Sequence, residues 1–279
     1  MPANVIDTGT PELLAGLDGG VLTLTLNRPD ARNAMTDAMN QALARQLAAA
    51  ETNTDVRCIV LTGAGQGFCA GGDVKAMSAR GGGVAGASGG GMSVDEAIQR
   101  QRINQRATAG KLFTLPKPTI AALPGAAAGA GFSLALACDM RIMSTKAFLT
   151  TSFARVGLAG DYGGTYFLTQ LIGSAKAREL YYLSDRVGAD EALRLGLANW
   201  ICAPEELAAK TAEIAGRLAK GPAIAYRFMK ENLNRAMGGD INDCLDLEAT
   251  HHVHTQYTED HRGAAGAFVE KREPVFSGR

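Results

Sequence analysis

Three short segments concentrate the residues that could do chemistry. Gly63 to Asp73 reads GAGQGFCAGGD and Gly125 to Gly131 reads GAAAGAG, and each leaves a strand-like run through small residues and enters a helical start. Small residues let the backbone approach a ligand closely, and N–H groups at a helix start can donate to an oxygen that gathers negative charge. Two such donors aimed at one carbonyl oxygen make an oxyanion hole. The third segment, Phe153 to Thr165, reads FARVGLAGDYGGT and holds Asp161 among glycines, ahead of a helical stretch from Tyr166 to Ile172. In a partly dry pocket that carboxylate would gain proton affinity and suit a general base. Each segment alone also fits a plain structural role: glycine turns for backbone geometry, and Asp161 with Gly160 and Gly163 for a turn.

Other patterns point away from familiar sites. No GxxxxGK[ST] run is present, and GAGQGF departs from a dinucleotide fingerprint by placing Phe68 where the third glycine belongs. His251, His252 and His254 form the run HHVH, with His261 farther on. On a helix His251 and His254 share a face while His252 does not, and no nearby cysteine or HExxH completes a zinc site, so no metal ligands are expected. Cys69 sits between apolar Phe68 and Ala70 with no histidine close in sequence, which suits packing better than nucleophilic attack. Asp139 is expected to fix a turn.

The elements that must position these segments follow from periodicity. VLTLTL at Val21 to Leu26 alternates as a strand, and Met35, Met39, Leu43 and Leu47 recur every four residues in a helix from Met35 to Ala50. Strands are expected over Val56–Thr62, Thr119–Leu123 and Asp139–Ser144. Helices are expected over Val94–Phe113 and from the second glycine segment to Cys138, with a further start at Asp73–Ala79. This order gives an α/β fold to about residue 200. Residues 205–220, 222–237, 241–259 and 263–271 all favour helix, so residues 1–200 read as the core and 201–279 as a C-terminal helical subdomain for packing and oligomerisation. Residues 81–91, GGGVAGASGGG, read as a mobile loop that either covers the site or is a surface insertion.

Composition bounds the function. The 279 residues carry 28 basic and 28 acidic side chains, which supply no broad cationic surface for nucleic acid or anionic membrane. Five widely spaced cysteines argue against a disulfide framework and suit a reducing cytoplasm. The first twenty residues read as neither signal peptide nor anchor, and the apolar run from Thr119 to Cys138 is interrupted by Pro124 and rich in Gly and Ala, so no membrane span is expected.

Taken together, GAGQGFCAGGDV at 63–74, the small-residue turn through ACD at 137–139, and GLAGDYGGTYFL at 157–168 resemble the crotonase, or enoyl-CoA hydratase/isomerase, superfamily. NRPDARNAM at 27–35 and AFVEKREPVF at 267–276 extend the resemblance over nearly the whole chain. It implies a crotonase-like spiral of repeated β-β-α units with a C-terminal helical trimerisation region, assembled as a homotrimer or a dimer of trimers. It implies stabilisation of an acyl-CoA thioester enolate, with coenzyme A carried by the substrate and no redox or metal cofactor. By the same resemblance the oxyanion donors are the N–H groups of Ala70 and Ala130. Arg28, Arg32, Ala70, Gly72, Asp73, Phe268 and Lys271 become candidate coenzyme A contacts, the last two reaching a neighbour's ligand. The positions that carry two glutamates in resembling hydratases are Ser133 and Phe153 here, and neither side chain can exchange a proton as a carboxylate does. Asp161 matches an acidic position of resembling isomerases. The expectation is therefore an acyl-CoA isomerase acting on an enoyl double bond or a ring-derived acyl group. An atypical enoyl-CoA hydratase and a non-catalytic acyl-CoA-binding protein are the alternatives.

Overall fold

A seven-stranded sheet forms the centre of the computed structural model, which describes residues 4–73 and 92–279. Strands β1 (Asn4–Ile6), β2 (Leu13–Asp18) and β3 (Val21–Leu26) pair antiparallel as a meander. From β3 the sheet continues in parallel through β4 (Cys58–Gly63), β5 (Thr119–Leu123), β7 (Met140–Ser144) and β10 (Trp200–Cys202). A second, three-stranded sheet joins β6 (Ala127–Ala128), β8 (Phe148–Thr150) and β9 (Val187–Gly188). The expected helix start beyond Asp73 and the glycine run at 81–91 lie outside the described residues.

Period-two alternation divides the core. Ile59, Leu61, Ala121, Leu123 and Met143 join one cluster, while Cys58, Val60, Ile120, Ala122 and Ile142 join another on the opposite face of the sheet. The first cluster receives Met39, Leu43 and Leu47 of α1 (Asp37–Thr52), whose i, i+4 spacing makes one apolar stripe. Thr36 caps this helix by accepting from the Met39 N–H at 3.1 Å. The second cluster is closed by Leu207, Ile214, Ala215 and Ala219 of a C-terminal helix spanning Leu207–Ala219.

Beside α1, α2 (Val94–Gln105) starts at a Ser93–Glu96 capping box and buries none of its residues. The helix expected over Val94–Phe113 runs unbroken but carries a π-helical turn at Arg106–Gly110, followed by α3 (Lys111–Thr114). The Thr108 hydroxyl donates to the Asn104 carbonyl at 2.7 Å within this turn. The extra residue changes the face that the chain presents, so Gln101 and Asn104 line a cavity while Leu112 enters the core. Next come α4 (Ala130–Ala137), α5 (Gly164–Leu183, interrupted at Gly173) and α6 (Ala189–Arg194).

The helix of Leu207–Ala219 is α7, and α8 (Ala223–Ala236), α9 (Ile241–Gln256) and α10 (Glu259–Val269) complete the chain. The core boundary drawn at residue 200 falls inside β10, which pairs with β7, so the sheet runs past it. Lys230 of α8 ties this region to the core: its ammonium donates to Leu112 O (2.9 Å), Lys117 O (3.2 Å) and Asp139 Oδ2 (3.0 Å). Asp139 also accepts from the Thr119 N–H and hydroxyl, which fixes the end of α4 against β5. Among the described residues no helix is long and apolar enough to cross a membrane.

Candidate active site

The two glycine segments run side by side. The Cys69 N–H donates to Ala126 O (3.1 Å) and the Ala128 N–H donates to Cys69 O (2.9 Å), a bridge between neighbouring extended backbones. Gly71 permits this approach. Its φ is +89°, and a Cβ there would lie 2.8 Å from Ala128 O and 3.2 Å from Ala130 N. Cys69 is fully buried, and burial pushes its thiol up to about 12, so it packs and does not attack.

A cavity of about 210 Å³ opens where these segments meet α1, α2 and the Asp161 loop. Gly72 and Ala130 both line it, and the N–H of each has no hydrogen-bond acceptor among the described residues. Ala130 is the first residue of α4, where orphan N–H groups and the helix dipole favour negative charge. Ala70 does not line the cavity, and its N–H is already committed to the Arg32 carbonyl at 3.0 Å. The expectation of Ala70 as a free donor is thus two residues off. The left-handed turn at Gly71 leaves Ala70 behind the cavity wall and brings Gly72 onto it.

Asp161 lies on the same wall. Its Oδ1 is buried without a partner, and its Oδ2 is 3.5 Å from Gln101 Nε2. Its backbone carbonyl closes a turn by accepting from the Gly164 N–H at 3.1 Å, but neither carboxylate oxygen bonds the local backbone. The side chain is therefore not needed for the turn. Burial raises its pKa from 3.8 to about 6. Tyr162 is held in the left-handed region at φ +50°, an uncommon conformation for an aromatic residue. Gln105 accepts its N–H at 2.6 Å and the ring is buried, which offset the strain.

The two positions that could have carried hydratase glutamates are differently occupied. Ser133 is fully buried and its hydroxyl donates to the Gly129 carbonyl at 3.3 Å. Phe153 stacks on Tyr181, with centroids 5.9 Å apart and planes 14° from parallel. A Cβ on Gly164 would collide with the hydroxyls of both Ser133 and Tyr181, which shows how tightly this floor is packed.

Side-chain amides complete the cavity, and sequence reasoning missed them. Asn40 comes from α1, Gln101 and Asn104 from α2. An exposed Arg100–Asp37 ion pair at 2.5 Å links the two helices. Spacing of three between Gln101 and Asn104 gives one helical face, but only the fold shows what that face meets.

The remaining candidates are dispersed. Asp73 lines the cavity and pairs with Arg28 at 3.2 Å; Arg28 also donates to Ala34 O and lies 3.6 Å from Glu12. Arg32 has φ +53° and an exposed side chain. Phe268 (86% exposed) near the end of α10, and Lys271 just beyond it, are not among the residues lining this cavity. His251 and His254 do share a face, both packing on Phe228, and His251 Nδ1 contacts Asn232. Among the described residues no group of three or more His, Cys, Asp or Glu could hold a metal ion.

Comparison with known proteins extends this geometry. The family profile described as Enoyl-CoA hydratase/isomerase matches residues 16–279. The chain belongs to the enoyl-CoA hydratase/isomerase family. Within this crotonase family it is 36% identical over 267 residues to a 1,2-epoxyphenylacetyl-CoA isomerase of Escherichia coli, covering 96% of this chain and 98% of that protein. It is 33% identical over 257 residues to a short-chain-enoyl-CoA hydratase of Clostridium acetobutylicum, covering 92% and 94%. A solved structure of a putative enoyl-CoA hydratase from Streptomyces coelicolor superposes with a TM-score of 0.89 at 34% identity, covering 96% and 94%. The α/β crotonase-like fold and the general acyl-CoA hydratase/isomerase chemistry of the family are therefore those of this chain. Relatives of both kinds lie at similar identity, so the choice between the two reactions turns on the site.

Proposed function

We propose that this protein is an acyl-CoA isomerase in which Asp161 carries the proton. For a 3-enoyl thioester, the Asp161 carboxylate takes a proton from the carbon next to the carbonyl. The electron pair of that C–H bond delocalises onto the thioester oxygen, which accepts from the N–H groups of Gly72 and Ala130. Asp161 then returns the proton to the far end of the dienolate, the double bond ends in the 2 position, and the carboxylate is ionised again. Each well-aligned amide would contribute about 3 kcal/mol to stabilising the charged intermediate and its flanking transition states. A ring-derived acyl group with an equally acidic C–H would follow the same course.

The observation that carries this reading is a buried carboxylate with one unpartnered oxygen in one cavity with two uncommitted backbone amides. A pKa near 6 makes Asp161 a stronger base than an ordinary carboxylate while leaving it mostly ionised at neutral pH. Hydration needs a group to activate water, and the Ser133 hydroxyl is turned to its own helix while Phe153 is a hydrocarbon. Gly72 and Asp73 on the cavity wall support the coenzyme A contacts assigned to that loop. Arg28 serves it through Asp73. Exposed Leu233, Ile241, Leu245, Phe268 and Val269 on the last helices support association of copies as a trimer or dimer of trimers, in which Phe268 and Lys271 would meet a neighbour's ligand.

The test is a mass-resolved assay of an enoyl-CoA panel in heavy water with the parent and Asp161→Asn. Deuterium should enter the acyl chain of the parent reaction without net addition of water, and D161N should bind but not exchange. Hydroxyacyl-CoA as the parent's product would contradict isomerisation, and unchanged exchange in D161N would remove Asp161 from the mechanism.

A further inference from the structure

Asn40 is 8% exposed, lines the acyl cavity, and leaves its Oδ1 buried with no hydrogen-bond partner among the described residues. A buried carboxamide oxygen can only accept, and without a donor it loses the hydrogen bond it made to water in the unfolded chain. Burial raises the proton affinity of the neighbouring Tyr162 phenol, and the Asn40 amide acts against that shift. The missing partner is a donor from whatever fills the cavity.

We propose that this cavity is built for a short acyl group bearing a hydroxyl, which donates to Asn40 Oδ1. This rests on the acyl-CoA reading of the site and names the class of acyl group it selects. Two further features agree. The cavity of about 210 Å³ falls below the roughly 300–1,000 Å³ of pockets that take drug-sized ligands, which suits a short acyl group. Beside Asn40 the wall continues with the amides of Gln101 and Asn104, and Met35, Ala130 and Tyr162 also line it. A plain alkyl chain would strip water from these amides and return nothing. A site arranged to bond a hydroxyl discriminates strongly against the analogue that lacks it, because its own polar group is then stranded.

The experiment measures binding by calorimetry with the full-length protein and two matched thioester pairs: 4-hydroxybutanoyl-CoA against butanoyl-CoA, and 5-hydroxypentanoyl-CoA against pentanoyl-CoA. For at least one pair the hydroxylated member should bind about tenfold more tightly, a difference of about 1.4 kcal/mol. Asn40→Leu should abolish the preference by weakening only the hydroxylated member, while Asn40→Asp, which keeps an acceptor, should retain it. Equal binding within each pair at both lengths would overturn the proposal, as would an N40L variant that weakens both members alike. These saturated thioesters need no turnover, so equal binding alongside heavy-water exchange would sink this inference and spare the isomerase reading. Failure of all four to bind would sink both.

Discussion

Replacing Asp161 by Asn should make the protein more stable at neutral pH, by an amount that depends on pH in a defined way. Burial raises the folded-state pKa of this carboxyl from 3.8 to about 6. The folded protein therefore holds the proton more tightly than the unfolded chain. The stability that this proton affords is complete below pH 3.8 and is lost as pH rises through 6. A shift of roughly two units at about 1.36 kcal/mol each gives about 3 kcal/mol, an upper figure because the group is partly exposed to solvent. Asparagine has the same shape and does not titrate. Urea unfolding of parent and D161N at intervals from pH 4 to pH 7.5 reads the difference directly. The gap between the two proteins should move steadily in favour of D161N between pH 4 and pH 6, then level off near a total change of about 3 kcal/mol by pH 7.5. A gap that is flat with pH, or that widens in favour of the parent, would refute the claim that a desolvated carboxylate faces the cavity.

Further outcomes follow from the same geometry. Because Asp161 must be ionised to accept a proton, kcat/KM for isotope exchange should rise with pH about a midpoint near 6 and level off above it, measured by initial rates across that range. Lys230→Met should lower unfolding free energy by about 1–3 kcal/mol in urea titrations, because it removes the cation paired with Asp139 and the donor that two backbone carbonyls now share. Backbone amides of α2, which buries none of its residues, should exchange hydrogen quickly in the free protein and slow on addition of an acyl-CoA, as followed by mass spectrometry.

Where the sequence is legible, local physics decides. The alternation of VLTLTL, and the short apolar run TIAAL set off by Pro116 and Pro118, match β3 and β5 to the residue, since each rests on a local pattern and a stop signal. The four-residue spacing of Met39, Leu43 and Leu47 likewise predicts the buried face of α1. Strands of two or three residues such as β6, β8 and β9 escape notice because they are fixed by partners distant in sequence. The π-helical turn after Gln105 escapes for a related reason: no composition marks one extra residue, and only packing shows which face it delivers. Asp161 stands out in sequence by its isolation among glycines, whereas Asn40, Gln101 and Asn104 look like ordinary polar helix residues until three elements close on one cavity. The shift from Ala70 to Gly72 has the same origin, because a glycine run states that the chain can turn without stating which amide the turn exposes.

The most direct measurement is a crystal structure with butanoyl-CoA bound. The thioester oxygen should lie about 2.7–3.1 Å from the backbone nitrogens of both Gly72 and Ala130, with the Asp161 carboxylate against the carbons beyond the carbonyl. A thioester oxygen bonded elsewhere, or a carboxylate turned out of the cavity, would contradict the account.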